Sequence, residues 1–416
     1  MASGVSFTFI GFGAPQARIP PARKLMVVPQ VWPVLSSTRL KKMIYRELSE
    51  SGFRFERNAI IPPDSRDKSA IRAVHRPALE HLLALNRQWI HENEAKVIDY
   101  FADGDELRPE EISPELTLVE KGDSEMGTLF RYASYHWSVP LSRGFGRRLR
   151  YVVMDKSNNK LIGIIGLTDP VIGLSVRDSW IGWNKEMKER SLWHMMDAYA
   201  FGAVRPYSSL LGGKLVATLA TSNEVRADFR RKYSHGRSVI SRKNYKSRGA
   251  ELVLLTTTGA FGNSSILDRL NSAERRLWQH VGYTEGWGFF HLDNGIASQI
   301  YEFLVETGHP IVVQHGFGEG PNWKMRVLRA GMEWLGIDYD KYGRHGVRRG
   351  FYAAPLASNF REFLTGEDKS PKYYDQPARK LFEFFRTRYL IPRSRRVLDW
   401  KEFDHRTLSL TRQTNL

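Results

Sequence analysis

Apolar residues recur four apart in the segment 37–53, STRLKKMIYRELSESGF, at Leu40, Ile44 and Leu48, with Met43 beside them. That spacing predicts one helix stripe, capped by Ser37 or Thr38 and stopped by Gly52. A longer helical pattern follows Asp67, and Pro77 is expected to mark a break or a first turn within it. Residues 105–120, with Pro109 and Pro114, read as a connector. The period changes near 148. RLRYVVMD and KLIGIIGLTD are β-branched runs split by the polar turn around SNN, which predicts a hairpin. Residues 184–197 read as a short helix, and AYAFGAV and ELVLLTTT as buried strands. SSILDRLNSAERRLWQHVGY predicts a helix starting on serine caps. GWGFFHL follows as a strand, YEFLVETG as a helix and PIVVQ as a strand.

These elements divide the chain into an irregular arm (1–36), a helical region (37–135), a core with a mixed sheet (136–296) and a basic α/β region (297–416). The predicted class is α+β. The length of 416 residues and 42% hydrophobic content suit two or three folded units. There is no cysteine, which excludes disulfides, thiolate zinc sites and cysteine nucleophiles. No apolar run approaches the roughly 20 residues that span a bilayer, and the start lacks the order of a secretory signal. The expectation is a cytoplasmic protein with no membrane contact.

Charge changes the picture most. Lys and Arg number 62 against 45 acids, a net of +17, and this points to a polyanionic partner, DNA or RNA. The excess is concentrated in RGFGRRLR (143–150), in 226–248, where Asp228 is the one acid, and in the tail beyond 323. The candidate phosphate contacts are Arg143, Arg147, Arg148, Arg230, Arg231, Lys232, Arg237, Arg242, Lys243, Lys246 and Arg248. Tyrosines and phenylalanines lie among the basic residues, Tyr373 and Tyr374 included, and could stack on bases.

The blocks WSVPLSRGFGRRLRYVVMD, KLIGIIGLTDPVIGLSVRDSWIGW, MMDAYAFGAVRPYSSLLGGKLVA and LLTTTGAFGNSS resemble, in this order, the DruA family of bacterial Druantia anti-phage systems. DKSAIRAVH and HGVRRGFYAAPLASN extend the resemblance over roughly 37–396. The chain departs from the family pattern at Arg205, where a proline is expected, and at Leu267, where a tyrosine is. The resemblance implies a defence role beside other proteins of the system, a helicase among them.

The element order over 149–292 is also similar to that of GNAT acyltransferases, in which a loop before a helix holds the pyrophosphate of acetyl-CoA. Gly212, Gly213 and Lys214 would take that place, with Tyr207 as a candidate acid. The expected last helix contains no Tyr, and Leu267 stands where a hydroxyl is wanted. A rival chemistry lies in Asp155, Asp169, Asp178 and Asp197, which fall at strand ends or turns and could hold Mg²⁺ for phosphodiester hydrolysis. Turn positions account for Asp155 and Asp169 as well. The 12 histidines form no HExxH spacing, and no Walker A motif is present.

Overall fold

Leu40, Ile44 and Leu48 are fully buried along one side of α1 (Ser37–Glu50), as their spacing predicts, and Gly52 ends the turn at φ +84°. The computed structural model describes residues 36–413 apart from 51, 57–58, 65–66, 140, 142–143, 236–248, 261, 285, 287–293, 315–322 and 341–345. A ribbon of β1 (Arg54–Glu56) and β2 (Ala59–Ile61) follows α1. The carboxylate of Asp67 accepts from the Ser69 and Ala70 N–H groups and starts α2 (Lys68–Leu85). This helix runs through Pro77. The expected break falls later, at Asn86, whose side-chain amide donates to Leu82 O. One lost backbone bond at Pro77 is tolerated where Ile71, Val74 and His75 remain buried on the same helix. The next helix is α3 (Arg87–Val97).

The stretch expected as a connector contains β3 (Pro114–Leu118), which pairs antiparallel with β4 (Arg148–Asp155). Its proline begins an edge strand, where a missing donor costs least. α4 (Ser124–Ser134) lies between the two. β4 and β5 (Lys160–Thr168) form the predicted hairpin, and both are buried along most of their length. α5 (Ser175–Ile181) and α6 (Lys185–Ser191) lead into β6 (Met195–Ala203). Then come α7 (Gly212–Leu219), α8 (Asn223–Tyr233) and β7 (Leu254–Thr258).

The helix expected over 264–281 is not formed. Ser264 starts a single turn, with Asp268 N bonded to its carbonyl, and Arg269 then adopts φ +59°. Lys214 Nζ, from α7, takes the carbonyls of Ile266 and Asp268 that a helix would have used. The chain continues into β8 (Gln279–Tyr283). α9 (Asn294–Glu306) matches the predicted helix, whereas PIVVQ forms α10 (Pro310–Gln314) and not a strand. There Ile311 N–H donates to His309 Nδ1 and Val312 N–H to His309 O, which turns the backbone. α11 (Trp323–Trp334) and β9 (Gly350–Pro355) follow. The expected strand GWGFFHL lies almost wholly outside the described residues.

The seven-stranded sheet has the order β3-β4-β5-β6-β7-β9-β8, and β6 with β7 is its one parallel pair. It is a mixed α+β architecture. One face buries Leu215 and Val216 of α7, Phe229 of α8 and Phe385. The opposite face packs on α3 and α4 through Val97 and Leu129, and on α5 through Ile181. A further cluster joins Leu40 and Ile44 of α1 to Ile300 of α9 and Val327 of α11. This packing crosses the boundary drawn at 296/297, because the apolar stripe of α1 finds its partner late in the chain.

Candidate functional site

β6 and β7 are paired over only three residues, the last being Asp197 opposite Thr256. Beyond this point β6 follows β5 and β7 follows β9. Asp197 also lies opposite Thr168 of β5, so it sits in mid-sheet, on the face covered by α5. Thr256 Oγ1 donates to its carboxylate at 2.8 Å. Burial pushes the Asp197 carboxyl up to about 6, while the Thr256 bond and the Arg177 charge pull it down. The Arg177 side chain is 1% exposed. It donates to Asp178 and to the carbonyls of Val171 and Ile172, and Lys188 Nζ reaches Asp178 at 2.9 Å. The Arg177 guanidinium thus bonds Asp178 and acts on Asp197 through its charge alone.

The other two acids lie elsewhere. Asp169 accepts from the backbone N–H and Nε of Arg147, at 2.9 and 2.7 Å. Asp155 is fully buried at the hairpin turn, where Ser113 N–H, Ser157 and the Tyr207 hydroxyl donate to it. The length of β5 separates Asp155 from the Asp197 level, about 26 Å at ~3.3 Å per residue. The four aspartates therefore do not form one metal cluster. Among the described residues, the acids and histidine close enough together to hold an ion are Asp103, Asp404 and His405.

Asp197 is charged at neutral pH at a cost. Its folded value lies above the unfolded one of 3.8, so its contribution to stability is lost as pH rises through about 6. Asp197→Asn keeps an acceptor for Thr256 and is expected to raise unfolding free energy at pH 7.5 by about 2 kcal/mol, with little change at pH 4. Denaturant titrations at the two pH values check this, and an equal effect at both would contradict it.

The residues assigned to acetyl-CoA serve the fold. Gly212 and Gly213 are buried at the start of α7. A Cβ on Gly212 would meet Ala203 Cβ and Tyr207 O at 2.7 Å, and one on Gly213 would meet Ile266 at 3.1 Å. Lys214 is tied to Ile266 and Asp268, and the Tyr207 hydroxyl, pushed up by burial and by Asp155, is spent on the hairpin turn. Beyond the fork of β6 and β7, Trp278 stacks on Phe201 and donates to Ala217 O. At the start of α7, where a pyrophosphate would lie, Gly213 packs against Ile266.

The basic candidates fall into two groups. Arg147 is 4% exposed, paired with Asp169 and stacked 3.7 Å over Trp193, so it is a core cation and not a phosphate contact. Arg148, Arg230, Arg231 and Lys232 come together where the end of α8 meets the start of β4. The Tyr233 hydroxyl bonds to the N–H and carbonyl of Arg148, and Lys232 Nζ reaches the same carbonyl. Arg230 Nη2 bridges both oxygens of Glu251, and Arg231 pairs with Asp228 and Glu120. These two arginine side chains nevertheless remain 59% and 60% exposed. Arg143, Arg237, Arg242, Lys243, Lys246 and Arg248 lie outside the described residues.

Beside this group is a cavity of about 480 Å³ lined by Asn223, Arg226, Ala227, Arg230, Arg231 and Tyr373, among others. Arg226 opens the basic run 226–248 but is not among the candidate phosphate contacts, and Asn223 lies outside that run. The Arg226 guanidinium lies 4.1 Å over the Tyr373 ring, and its Nη2 donates to Tyr374 O and to Asn223. Nothing local in the sequence signals that residues about 150 positions apart share a wall.

A mixed seven-stranded sheet with this basic rim defines an α+β protein, and comparison supplies its kinship. The family described as Druantia protein DruA matches residues 65–366. The chain is 37% identical over 375 residues to Druantia protein DruA of Escherichia coli (strain UMEA 4076-1), covering 90% of this chain and 92% of that protein. The chain belongs to the DruA family. No solved structure matches it.

Proposed function

We propose that this Druantia anti-phage defence component engages nucleic acid through the exposed face of α8 and the basic segment that follows it. Family membership carries the defence role. The observation that supports nucleic-acid binding is the arginine-lined cavity on α8, adjoining in sequence the run 236–248, which has five Lys/Arg and no acid. Such a concentration attracts phosphates by counterion release. The pairing of Arg230 and Arg231 with carboxylates weakens the local field but holds both guanidinium groups in place. No described helix is long and apolar enough to cross a membrane.

Among the described residues, the four aspartates form no shared ion site, and Gly213 at the start of α7 packs against Ile266. Fluorescence anisotropy with labelled oligonucleotides tests the proposal. Binding at 50 mM salt that falls at least tenfold by 200 mM is expected, and absence of binding at 50 mM would overturn it.

A further inference from the structure

Each of the three guanidinium groups at the α8 cavity is anchored and leaves its Nη1 unused. Arg226 is held through Nη2 by Tyr374 O and Asn223, and Arg230 through Nη2 by Glu251. Arg231 is held through Nε and Nη2 by Asp228, with Nη2 also on Glu120. Nη1 of each makes no hydrogen bond among the described residues. Glu251 also accepts from the Tyr373 hydroxyl at 2.5 Å, so one carboxylate fixes both a cation and an aromatic ring of the same wall. A guanidinium fixed along one edge presents its remaining donors in a set direction, which lowers the entropy lost when an anion binds.

The cavity volume of about 480 Å³ falls within the range of small-ligand pockets, and its lining offers both phosphate donors and a π surface. We infer that it takes one unpaired nucleotide, with the phosphate on Arg226, Arg230 and Arg231 and the base against the Arg226–Tyr373 stack. A base within a duplex is already stacked on both sides and cannot enter a concave pocket without being extruded. The inference rests on the proposed nucleic-acid binding and deepens it: the strand held at α8 is single. A free nucleotide has the same chemistry and is separated from a strand by the test.

The test uses the full chain and four probes: a single-stranded 12-mer, the same sequence as duplex, an abasic single strand and a free nucleoside monophosphate. Ala227 lines the cavity from an exposed position, so Ala227→Trp fills the cavity without entering the core. Arg226→Lys keeps the charge but loses the planar stack. The expected result is at least tenfold tighter binding of the single strand than of the duplex or the abasic strand. Ala227→Trp and Arg226→Lys each weaken it about tenfold, and the thermal midpoint of Ala227→Trp is unchanged. Equal binding of single strand and duplex, unaffected by Ala227→Trp, overturns the inference and leaves the nucleic-acid proposal standing. Binding of the monophosphate alone, lost in Ala227→Trp, overturns the strand assignment. No binding of any probe overturns both.

Discussion

Glu94→Ala is expected to lower the unfolding free energy by about 3 kcal/mol and to release the end of the chain. Glu94, on α3, is 8% exposed. It accepts from the Leu410 and Thr411 N–H groups, the Ser409 and Thr411 hydroxyls and the Tyr132 hydroxyl, all between 2.5 and 3.0 Å. One carboxylate on α3 thereby satisfies donors near position 410, more than 300 residues further along the chain. Without it, two backbone N–H groups and three hydroxyls lose one acceptor each, and the segment near 405–413 opens to water to replace it. Limited proteolysis reads this directly: early cleavage beyond 405 is expected in the variant and not in the wild type. An unchanged cleavage pattern with an unchanged melt would contradict it. Burial pushes the Glu94 carboxyl up, but its hydrogen bonds outweigh burial and hold it below 4.5. Its contribution to stability is therefore full above the unfolded value and is lost as pH falls through the lower folded one. The wild type should lose part of its acid stability through this group, and Glu94→Gln should show a flatter acid limb.

Arg177→Ala is expected to cost about 3–5 kcal/mol, because it leaves the part-buried Asp178 carboxylate and two loop carbonyls without their common donor and removes the charge that acts on Asp197. The loss should be accompanied by a change at Asp197. The Arg177 charge holds the Asp197 carboxyl down against burial, so without it the value should rise further above about 6. Carboxyl-carbon NMR titration measures this. The double variant Arg177→Met with Asp178→Asn should recover part of the stability, since an apolar side chain beside a neutral amide leaves fewer uncompensated charges. A single variant as stable as the wild type, with Asp197 unmoved, would show that the guanidinium is not the centre of this network.

Local periodicity makes part of this fold readable. The stripe of Leu40, Ile44 and Leu48 and the hairpin around SNN carry their own burial pattern, whereas the helix expected to run to 197 ends at Ser191 and Met195–Asp197 begin β6. The elements that depart from expectation depend on distant groups. The segment 264–281 has helical composition, yet Lys214 takes its carbonyls, and Tyr352 accepts from Ser264 N–H and donates to Asp268. β3 is short and begins on a proline, so only its partner β4 makes it a strand. The same limit applies to the site. Arg147 and Arg148 are neighbours in one basic run, but one stacks on Trp193 in the core and the other reaches solvent. The cavity on α8 needs Tyr373, which no spacing connects to Arg226. Kinship is legible because its blocks keep their order along most of the chain.

The salt dependence of oligonucleotide binding, compared between the wild type and a variant with Arg226, Arg230 and Arg231 all changed to Ala, tests the role of the α8 face most directly. On a single strand, the slope of log affinity against log salt falls by about 0.7 for every phosphate that the protein no longer neutralises. The three arginines share one phosphate, so a slope shallower by about 0.7 in the variant, with weaker binding and its melt preserved, is the result this account predicts. An identical slope and affinity in both proteins would contradict it and place the phosphate-binding residues elsewhere.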